Sequence, residues 1–328
     1  MIKILLSLIL ISTKLSANNF KSFPIQYSIP SIKIVKEIPK KTQDFANATP
    51  GVGPGGNVNN YIYNKEEDYY ADYQRSYFGL TKCKGGWDCP RHYEILANGC
   101  IPYFIDLDKC PKNTMLFLPK DLIKEAMNLD GVSYMKIDHS KFNKDKYFEL
   151  LNKILEHTKK YLTCDKMAEY VLKTVNYSGK GKILLLSLEH LYEPHERAEY
   201  LRDLVTIGLK QILGEKLVDE PKITFLYKNY EKDVSQLYGR GFTYTKILDD
   251  IPTDRTNIKE RIKNHEFEFI IFTSVHDAYG QAFDLNFARQ YYKPEEIIFL
   301  CGVEGGIWGY NCWFTGQVNN LFIREYFL

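Results

Sequence analysis

The chain has 328 residues, of which 45% are hydrophobic and 26% charged, with 43 Lys and Arg against 41 Asp and Glu. This balance excludes an intrinsically disordered protein, and at roughly 100–200 residues per domain the length predicts two domains with cores of their own. A formal net charge of +2 excludes the broad basic surface of a nucleic-acid-binding protein, so any site for an anion must be small and local.

Residues 1–17 predict a signal peptide or a short membrane anchor. Lys3 precedes an apolar run over residues 4–11, and polar residues ending in a Ser-Ala pair follow. The alternative is a buried first strand, because residues 182–187 have a closely similar sequence. The first interpretation places the protein in the secretory pathway or at a membrane through residues 4–11, and the second places it in the cytoplasm.

The cysteines do not predict a metal site. The chain has seven of them and no Cys-x-x-Cys pair, whereas structural zinc sites usually present closely spaced ligands. Four cysteines fall between residues 83 and 110, which allows a disulfide there if the chain is secreted. Buried free thiols are the favoured alternative.

An α/β pattern begins near residue 61. The acidic and aromatic run over residues 66–73 predicts a short amphipathic helix, and residues 77–80 predict a buried strand. Asp88 is expected to cap a helix over residues 88–97 that has a proline in its first turn. Residues 100–105 then predict a second strand, so that the segment forms a strand–loop–helix–strand unit.

Two helices are expected between residues 142 and 175, with a break near Thr163, because apolar residues recur there at helical spacing. The composition changes at residues 177–181, which contain two glycines and predict an interdomain linker. The sequence therefore predicts one domain over residues 20–178 and a second over residues 180–328.

The second domain shows another alternation of strands and helices. Its strands are predicted at residues 183–187, 223–227, 267–275 and 296–301, and its helices at residues 196–213, 257–264 and 283–291. Such an alternation is typical of a mostly parallel sheet that helices cover on both faces.

The most informative stretch is residues 81–102, TKCKGGWDCPRHYEILANGCIP. Gly85 and Gly86 would let the backbone approach a ligand closely, and the helix that follows would offer free N–H groups to a phosphate. Positive charge is added by Lys82, Lys84 and Arg91. The stretch therefore predicts a local site for an anionic ligand.

Arg91 and Glu94 are three residues apart and so share one face of the predicted helix. A carboxylate can accept two hydrogen bonds from the hydroxyls of a ribose, and an arginine can bind a diphosphate through two parallel hydrogen bonds. The alternative is an ordinary ion pair on a solvent-exposed helix face.

The string Asp-x-x-Arg-x-x-Glu-x-Leu-Ala-x-Gly-Cys-Ile-Pro resembles the donor-lobe signature of exostosin-like glycosyltransferases and, more loosely, of retaining GT-B enzymes. The resemblance is specific over about 30 residues and extends loosely over residues 61–176. It implies that this lobe binds a nucleotide sugar, with Glu94 on the ribose. It also places four residues around the diphosphate and the sugar, namely Arg91, Asp88, Gly85 and Gly86, and makes Asp88 a candidate catalytic residue.

The chain departs from that family in two respects. Retaining GT-B enzymes often have a glutamate eight positions before the helix glutamate, where this chain has Gly86, so an acidic partner for the sugar must be Asp88 or come from elsewhere. The second α/β domain also follows the motif instead of preceding it. The resemblance thus implies two Rossmann-like domains in a GT-B-like α/β fold whose lobe order is swapped or whose upstream lobe is truncated.

Four segments of the second domain are further candidates because three follow predicted strands and one is a glycine-flanked loop. They are Glu189-His190, Tyr238–Tyr244, Ser274–Asp277 and Gly302–Gly306. Ligands of open α/β sheets bind at the carboxyl ends of strands, and His276 with Asp277 nearby is a candidate general base. Ordinary capped or exposed loop residues are the alternative for each segment.

Taken together, the sequence predicts a glycosyltransferase that moves a sugar from a nucleotide-sugar donor to a glycan or protein acceptor. No cofactor and no obligatory metal are expected, because a helix N-terminus and basic side chains can neutralise the departing diphosphate. The expected partners are the nucleotide sugar and a glycan or glycoprotein, without nucleic acid. The alternative is a non-catalytic nucleotide- or glycan-binding α/β protein derived from such an enzyme.

Overall fold

The computed structural model describes residues 21–50, 62–187, 198–273, 285–304 and 319–327. The segment over residues 1–17 that predicts a signal peptide or anchor lies outside them. Within the described ranges, no helix is both long and apolar enough to cross a membrane.

Strands and helices alternate along the described chain. The strands are β1 (Lys21–Pro24), β2 (Gln43–Phe45), β3 (Ser76–Thr81), β4 (Ile101–Phe104), β5 (Val132–Ser133), β6 (Lys136–Ile137), β7 (Lys182–Ser187), β8 (Leu217–Glu220), β9 (Phe267–Thr273), β10 (Ile297–Cys301) and β11 (Asn320–Ile323). The α-helices with both ends in the described ranges are α1 (Glu66–Gln74), α2 (Pro90–Ala97), α3 (Lys120–Met127), α4 (Lys144–Tyr161), α5 (Cys164–Thr174), α6 (Tyr200–Leu213) and α7 (Ile258–Lys263).

The larger sheet has six strands in the order β1-β11-β10-β9-β7-β8, and each neighbouring pair is parallel. Its central strands are mostly apolar, and every residue of β10 and β11 is buried. Such runs are typical of a parallel sheet that is covered on both faces. The prediction of an α/β fold with a mostly parallel sheet is confirmed.

The smaller sheet has three parallel strands in the order β2-β3-β4. β3 lies in the centre and all six of its residues are buried. α2 connects β3 to β4, as a crossover between parallel strands requires. The predicted strand–loop–helix–strand unit is therefore present, and its loop emerges at the carboxyl end of β3. An antiparallel pair, β5 and β6, forms a separate short hairpin.

The predicted break between two helices near Thr163 is confirmed, because α4 ends at Tyr161 and α5 begins at Cys164 with Thr163 as its N-cap. The backbone on both sides of this break forms hydrogen bonds with Ile29. The amide of Ile29 donates to the carbonyl of Leu162 at 2.9 Å, and the amide of Cys164 donates to the carbonyl of Ile29 at 3.0 Å.

The prediction of a strand over residues 223–227 is wrong. Thr224–Leu226 form a single 3₁₀ turn, and the edge strand β8 lies earlier, where Leu217 pairs with Ile183 of β7. Phe225 and Leu226 are fully buried in the turn. A short apolar run has the same composition in a buried turn and in a strand, so composition alone could not separate them.

The remaining predicted elements of the second half agree with the structure where it describes them. The strands at 183–187 and 296–301 correspond to β7 and β10, and the helix at 257–264 corresponds to α7. The strand at 267–275 and the helices at 196–213 and 283–291 extend partly outside the described residues.

One hydrophobic core extends across both predicted domains. It contains Tyr147 and Leu151 of α4, Val205 of α6, Ile183 of β7 and Phe322 of β11. The division into residues 20–178 and 180–328 stays a prediction. The structure adds that β1 pairs in parallel with β11, so that residues 21–24 belong to the six-stranded sheet.

The contact between α5 and α6 gives a direct test of the packing. A Cβ atom on Gly208 of α6 would lie 1.9 Å from the carbonyl oxygen of Cys164. We expect Gly208→Ala to lower the free energy of unfolding by about 1–3 kcal/mol, because the two helix backbones would have to separate. Alanine's better helix propensity, worth about 1 kcal/mol, would offset only part of this loss.

Urea titration of Gly208→Ala would measure the change. The exposed Gln211 of the same helix supplies the control, since Gln211→Ala should alter the unfolding free energy by only about 0.5 kcal/mol or less. Equal stability of Gly208→Ala and the wild-type protein would refute the close helix contact.

Candidate functional site

A cavity of about 160 Å³ lies where the carboxyl ends of the two parallel sheets face each other. The loop after β3 and the start of α2 form one wall, with Lys84, Gly86, Asp88, Cys89, Pro90, Arg91 and Glu94. The opposite wall includes Tyr27 after β1, Glu304 after β10, Tyr200 of α6, and Tyr238, Gly239 and Phe242 from the segment after β8. Ligands of open α/β sheets bind at such edges.

The structure brings five of the residues selected from the sequence to this cavity, namely Lys84, Gly86, Asp88, Arg91 and Glu94. Lys82 and Gly85 belong to the same loop but are not among the residues that line the cavity. His276 lies outside the described residues, as do Glu189, His190, Ser274 and Asp277.

The loop after β3 is fastened to the end of β11 by a buried ion pair. Glu325 accepts hydrogen bonds from the amides of Trp87 and Asp88 at 3.0 and 2.9 Å. Arg324 donates to the carbonyl of Asp88 at 2.6 Å and to the Glu325 carboxylate at 3.0 Å. These two residues join the loop of the smaller sheet to the edge of the larger one.

The two glycines of the loop are needed for these protein contacts. A Cβ atom on Gly86 would lie 2.5 Å from Oε1 of Glu325, and one on Gly85 would lie 1.8 Å from Oε2 of Glu304. The sequence predicts that the backbone here is approached closely by a ligand. In the structure, the groups that approach it are two carboxylates of the protein.

The start of α2 offers few free amide groups. Pro90 at the first helical position has no N–H, and the amide of His92 donates to the carbonyl of Cys89 at 3.0 Å. The amides of Trp87 and Asp88 in the preceding loop are already bound to Glu325. Recognition of an anion at this edge therefore depends mainly on side chains.

Asp88 does not cap α2, contrary to the sequence-based expectation, because Cys89 is the N-cap residue. The Asp88 carboxylate accepts hydrogen bonds from the amide of Tyr27 at 2.6 Å and from the hydroxyl of Tyr93 at 2.7 Å. The chain after β1 passes close enough for the amide of Tyr27 to donate a hydrogen bond to this carboxylate. Burial raises the pKa of Asp88 to about 7, although the nearby Arg324 guanidinium acts in the opposite direction.

Glu94 lies inside the cavity wall with 6% of its surface exposed. Its two oxygens accept hydrogen bonds from the hydroxyls of Tyr69 at 2.7 Å and Thr243 at 2.5 Å. Burial raises the pKa of Glu94, and the two hydrogen bonds oppose this effect. Glu94 is thus not part of an ion pair on a solvent-exposed helix face.

Arg91 and Lys84 bring positive charge to the cavity and form no salt bridge among the described residues, although the Glu94 carboxylate acts on Arg91 electrostatically. Nε of Arg91 is buried and has no hydrogen-bond partner. Burial and the charge of Arg91 lower the pKa of Lys84. Because a buried donor without a partner is costly, this pair of cations is suited to an anionic ligand.

His92 supports the loop from the side of β3. Its Nε2 lies 2.9 Å from the carbonyl oxygen of Trp87 and must donate to it, so Nδ1 accepts from the hydroxyl of Thr81 at 3.0 Å. Burial lowers the pKa of His92 to about 4. A neutral imidazole thus holds the loop in place at physiological pH.

Several residues of the site were not selected from the sequence. They are Tyr27, Tyr69, Tyr200, Thr243 as a ligand of Glu94, Arg324 and Glu325. The sequence did contain a signal for Arg324 and Glu325. They directly follow the apolar run of β11 and therefore lie at the carboxyl end of a strand, where ligands of open α/β sheets bind. Tyr238, Phe242 and Glu304 belong to segments that the sequence did indicate.

The described residues contain no group of three or more His, Cys, Asp or Glu side chains that could hold a metal ion. Cys83, Cys89, Cys100 and Cys110 are free thiols. A disulfide between residues 83 and 110 is therefore absent from the structure.

The fold and the site define an α/β protein with two parallel sheets and an anion-suited cavity at their facing carboxyl edges. No protein-family model matches the chain, and neither a curated protein nor a solved structure is similar to it. The function must therefore be argued from the residues of the site.

The fastening of the loop predicts a stability effect. In Glu325→Gln one carboxylate oxygen becomes an amide N–H₂ group, which cannot accept a hydrogen bond from Trp87 or Asp88. We expect the free energy of unfolding to fall by about 1–3 kcal/mol, the cost of a buried donor without a partner. Chemical denaturation measures this change. Glu37→Gln, at an exposed site, should be neutral, and equal effects of both substitutions would contradict the assignment.

The raised pKa of Asp88 predicts a pH dependence. The folded protein holds a proton on Asp88 up to a pH of about 7, whereas an unfolded aspartate releases it near pH 4. The contribution of Asp88 to the free energy of unfolding therefore falls as pH rises from about 4 to about 7 and is constant above that range. Asp88→Asn removes this contribution.

The measurement compares unfolding free energies at pH 5 and pH 8 in the wild-type protein and in Asp88→Asn. Relative to Asp88→Asn, the wild-type protein should lose more stability between these pH values. The exposed Asp130 provides the control, since Asp130→Asn should retain the wild-type difference. A pH dependence that is identical in Asp88→Asn would show that Asp88 is ionised in the folded state at pH 5.

Proposed function

We propose that the protein is a glycosyltransferase that uses a nucleotide-sugar donor and has a GT-B-like arrangement of two Rossmann-like units. The observation that carries the proposal is the Arg91 side chain, whose Nε is buried at the cavity without a hydrogen-bond partner. A buried guanidinium without a partner is stabilised by an anion that accepts hydrogen bonds from its N–H groups. The proposed anion is the diphosphate of the donor.

Lys84 supports the choice of a diphosphate. It lines the same cavity as Arg91, and its ammonium group has no ion pair within the described part of the chain. A diphosphate offers oxygens at both of its phosphorus atoms, so that the guanidinium and the ammonium can each bind one phosphate. The same two charges would stabilise the diphosphate as it leaves the sugar, so the proposed reaction needs no metal ion.

Glu94 is proposed to bind the ribose. Its carboxylate already accepts two hydroxyl groups of the protein, which demonstrates that its position suits hydroxyl donors. The aromatic side chains Tyr200, Tyr238 and Phe242 of the opposite wall offer ring faces for the base or the sugar. The acceptor, a glycan or a protein, would approach from the side of the six-stranded sheet.

Asp88 is proposed as the acid–base residue of the transfer. A pKa of about 7 lets a carboxyl group hold and release a proton near neutral pH, which is the condition for efficient general acid–base catalysis. Its two hydrogen-bond donors use two of the roughly four lone-pair positions of a carboxylate. His276 retains the role of a second candidate from the sequence.

Nucleoside diphosphate binding tests the proposal. We expect ADP, CDP, GDP or UDP to bind the wild-type protein, and Arg91→Ala to weaken that binding at least about tenfold, since a charged hydrogen bond is worth about 1.5–3 kcal/mol. Lys84→Ala should also weaken it. Lys82→Ala is the matched control because Lys82 lies on the same loop without lining the cavity. Isothermal titration calorimetry gives the dissociation constants.

Failure of all four nucleotides to bind, or equal binding by Arg91→Ala and the wild-type protein, would refute the assignment of the site. Catalysis is tested separately with the corresponding nucleotide sugars. Release of the nucleotide in the presence of a glycan acceptor is the expected result. Binding without donor hydrolysis or transfer would instead support a non-catalytic nucleotide-binding protein.

A further inference from the structure

We propose that the Thr243 hydroxyl occupies the position on Glu94 that a ribose hydroxyl takes when a nucleotide binds, so that Thr243 must withdraw before the ligand can enter. This inference rests on the proposed function, because it takes Glu94 as the carboxylate that binds the ribose. It adds a self-occluding contact that sets the affinity of the same site.

Thr243 does not line the cavity itself but lies directly behind it, next to the lining residue Phe242, and contacts Glu94, Tyr70 and Glu66. Its hydroxyl lies 2.5 Å from Oε1 of Glu94 and 2.8 Å from the hydroxyl of Tyr70. A threonine hydroxyl has one proton, which goes to the carboxylate, so Tyr70 is the donor to Thr243. The amide of Thr243 donates to Glu66 at 2.5 Å. Thr243 is 2% exposed.

The hydroxyls around Glu94 resemble what a ribose would present. Thr243 occupies one carboxylate oxygen and Tyr69 the other, as the two hydroxyls of a cis-diol would. A ligand diol that approaches Glu94 competes with these protein hydroxyls for the same acceptor. Tyr69 belongs to α1, which packs against α2, whereas Thr243 belongs to the irregular segment after β8. Thr243 is therefore the group that can leave.

The cavity is small for a nucleotide in this conformation. Its volume is about 160 Å³, whereas pockets for drug-sized ligands occupy about 300–1,000 Å³. The segment over residues 238–246 contributes Tyr238, Gly239 and Phe242 to the wall. Withdrawal of Thr243 would also move these three wall residues. The Glu94 carboxylate would then be free to bind a ligand, and the cavity would be larger.

The backbone of the segment is held by these contacts and not by its local preference. Thr243 has a φ of 79°, and Arg240 and Lys246 have φ values of 59° and 55°. Positive φ is rare for residues other than glycine, and a β-branched residue such as threonine is a clear outlier there. Such a conformation persists only while the surrounding structure enforces it. Exchange of the Thr243 hydroxyl for a ligand hydroxyl would release it.

Thr243→Val tests the inference because valine has the same shape and branching but no hydroxyl. We expect the ribonucleoside diphosphate that binds most tightly to the wild-type protein to bind Thr243→Val about fivefold more tightly, the factor that one hydrogen bond of ordinary strength represents. The 2′,3′-dideoxy form of that nucleotide lacks the diol and should show no gain. Titration calorimetry measures both ligands.

Matched variants separate the hydroxyl from other effects. Thr243→Ser keeps the hydroxyl and should bind with wild-type affinity. Thr245→Val removes a hydroxyl of the same segment that donates to the carbonyl of Gly241 at 2.7 Å, and it should also bind as the wild-type protein does. Tyr70→Phe weakens the hold on Thr243 from α1 and should tighten ribonucleotide binding, so that a result is available even if Thr243→Val does not fold.

The outcomes distinguish the two proposals. If the wild-type protein binds the ribonucleotide, but Thr243→Val and Tyr70→Phe bind it equally or more weakly, the inference is wrong and the proposed function stands. An equal gain for the dideoxynucleotide would also overturn the inference. If neither the wild-type protein nor any variant binds a nucleoside diphosphate, the proposed function fails and the inference with it.

Discussion

The buried pair of Arg324 and Glu325 is the interaction on which the candidate site depends. It follows β11 and binds the backbone of Trp87 and Asp88, in the loop of the smaller sheet. Burial of an ion pair is costly unless further hydrogen bonds compensate for lost hydration. Here Arg324 also donates to the carbonyl of Gly302 and lies over the ring of Tyr27 at 4.6 Å. The loop and the sheet edge are held in one arrangement because the pair needs both.

This fastening determines how an anion can be recognised. The Glu325 carboxylate accepts hydrogen bonds from the amides of Trp87 and Asp88, and Pro90 has no N–H group. The backbone therefore contributes little to ligand binding. Recognition of the anion therefore depends on the cationic side chains of Lys84 and Arg91. A chain with a formal net charge of only +2 can therefore carry a local site for an anion. The charges that matter are two side chains at one cavity that form no salt bridge within the described residues.

The sequence predicted those parts of the fold that local patterns determine. The unit of β3, α2 and β4 and the break at Thr163 follow from hydrophobic periodicity and helix-end residues within short windows. The strands β1, β8 and β11 were not predicted, and they are defined by pairing with strands elsewhere in the chain. The turn at residues 224–226 shows the converse, since its apolar composition predicted a strand that does not form.

The site was predictable to a similar extent. The spacing of Arg91 and Glu94 and the cations around two glycines indicated a local anion site. Lys84, Arg91 and Glu94 do reach one cavity, but Lys82 is not among its lining residues. What approaches Gly85 and Gly86 could not be read from the sequence, because Glu304 and Glu325 are more than two hundred positions away along the chain. Separation along the chain also concealed one of the two partners of Glu94, because Thr243 lies 149 positions away.

The pairing of β1 with β11 has a consequence for the order in which the molecule can assemble. Within the described sheet, β1 pairs only with residues 320–323. During synthesis on the ribosome β1 therefore remains unpaired until the chain between the two strands has been made. The residues that complete its pairing are followed directly by Arg324 and Glu325. Closure of the sheet and fixing of the loop at residues 87 and 88 are thus coupled events that follow synthesis of β11, and contacts between such distant segments make folding slow. A nascent chain would acquire its candidate site only after the elements from β2 to β10 have been synthesised.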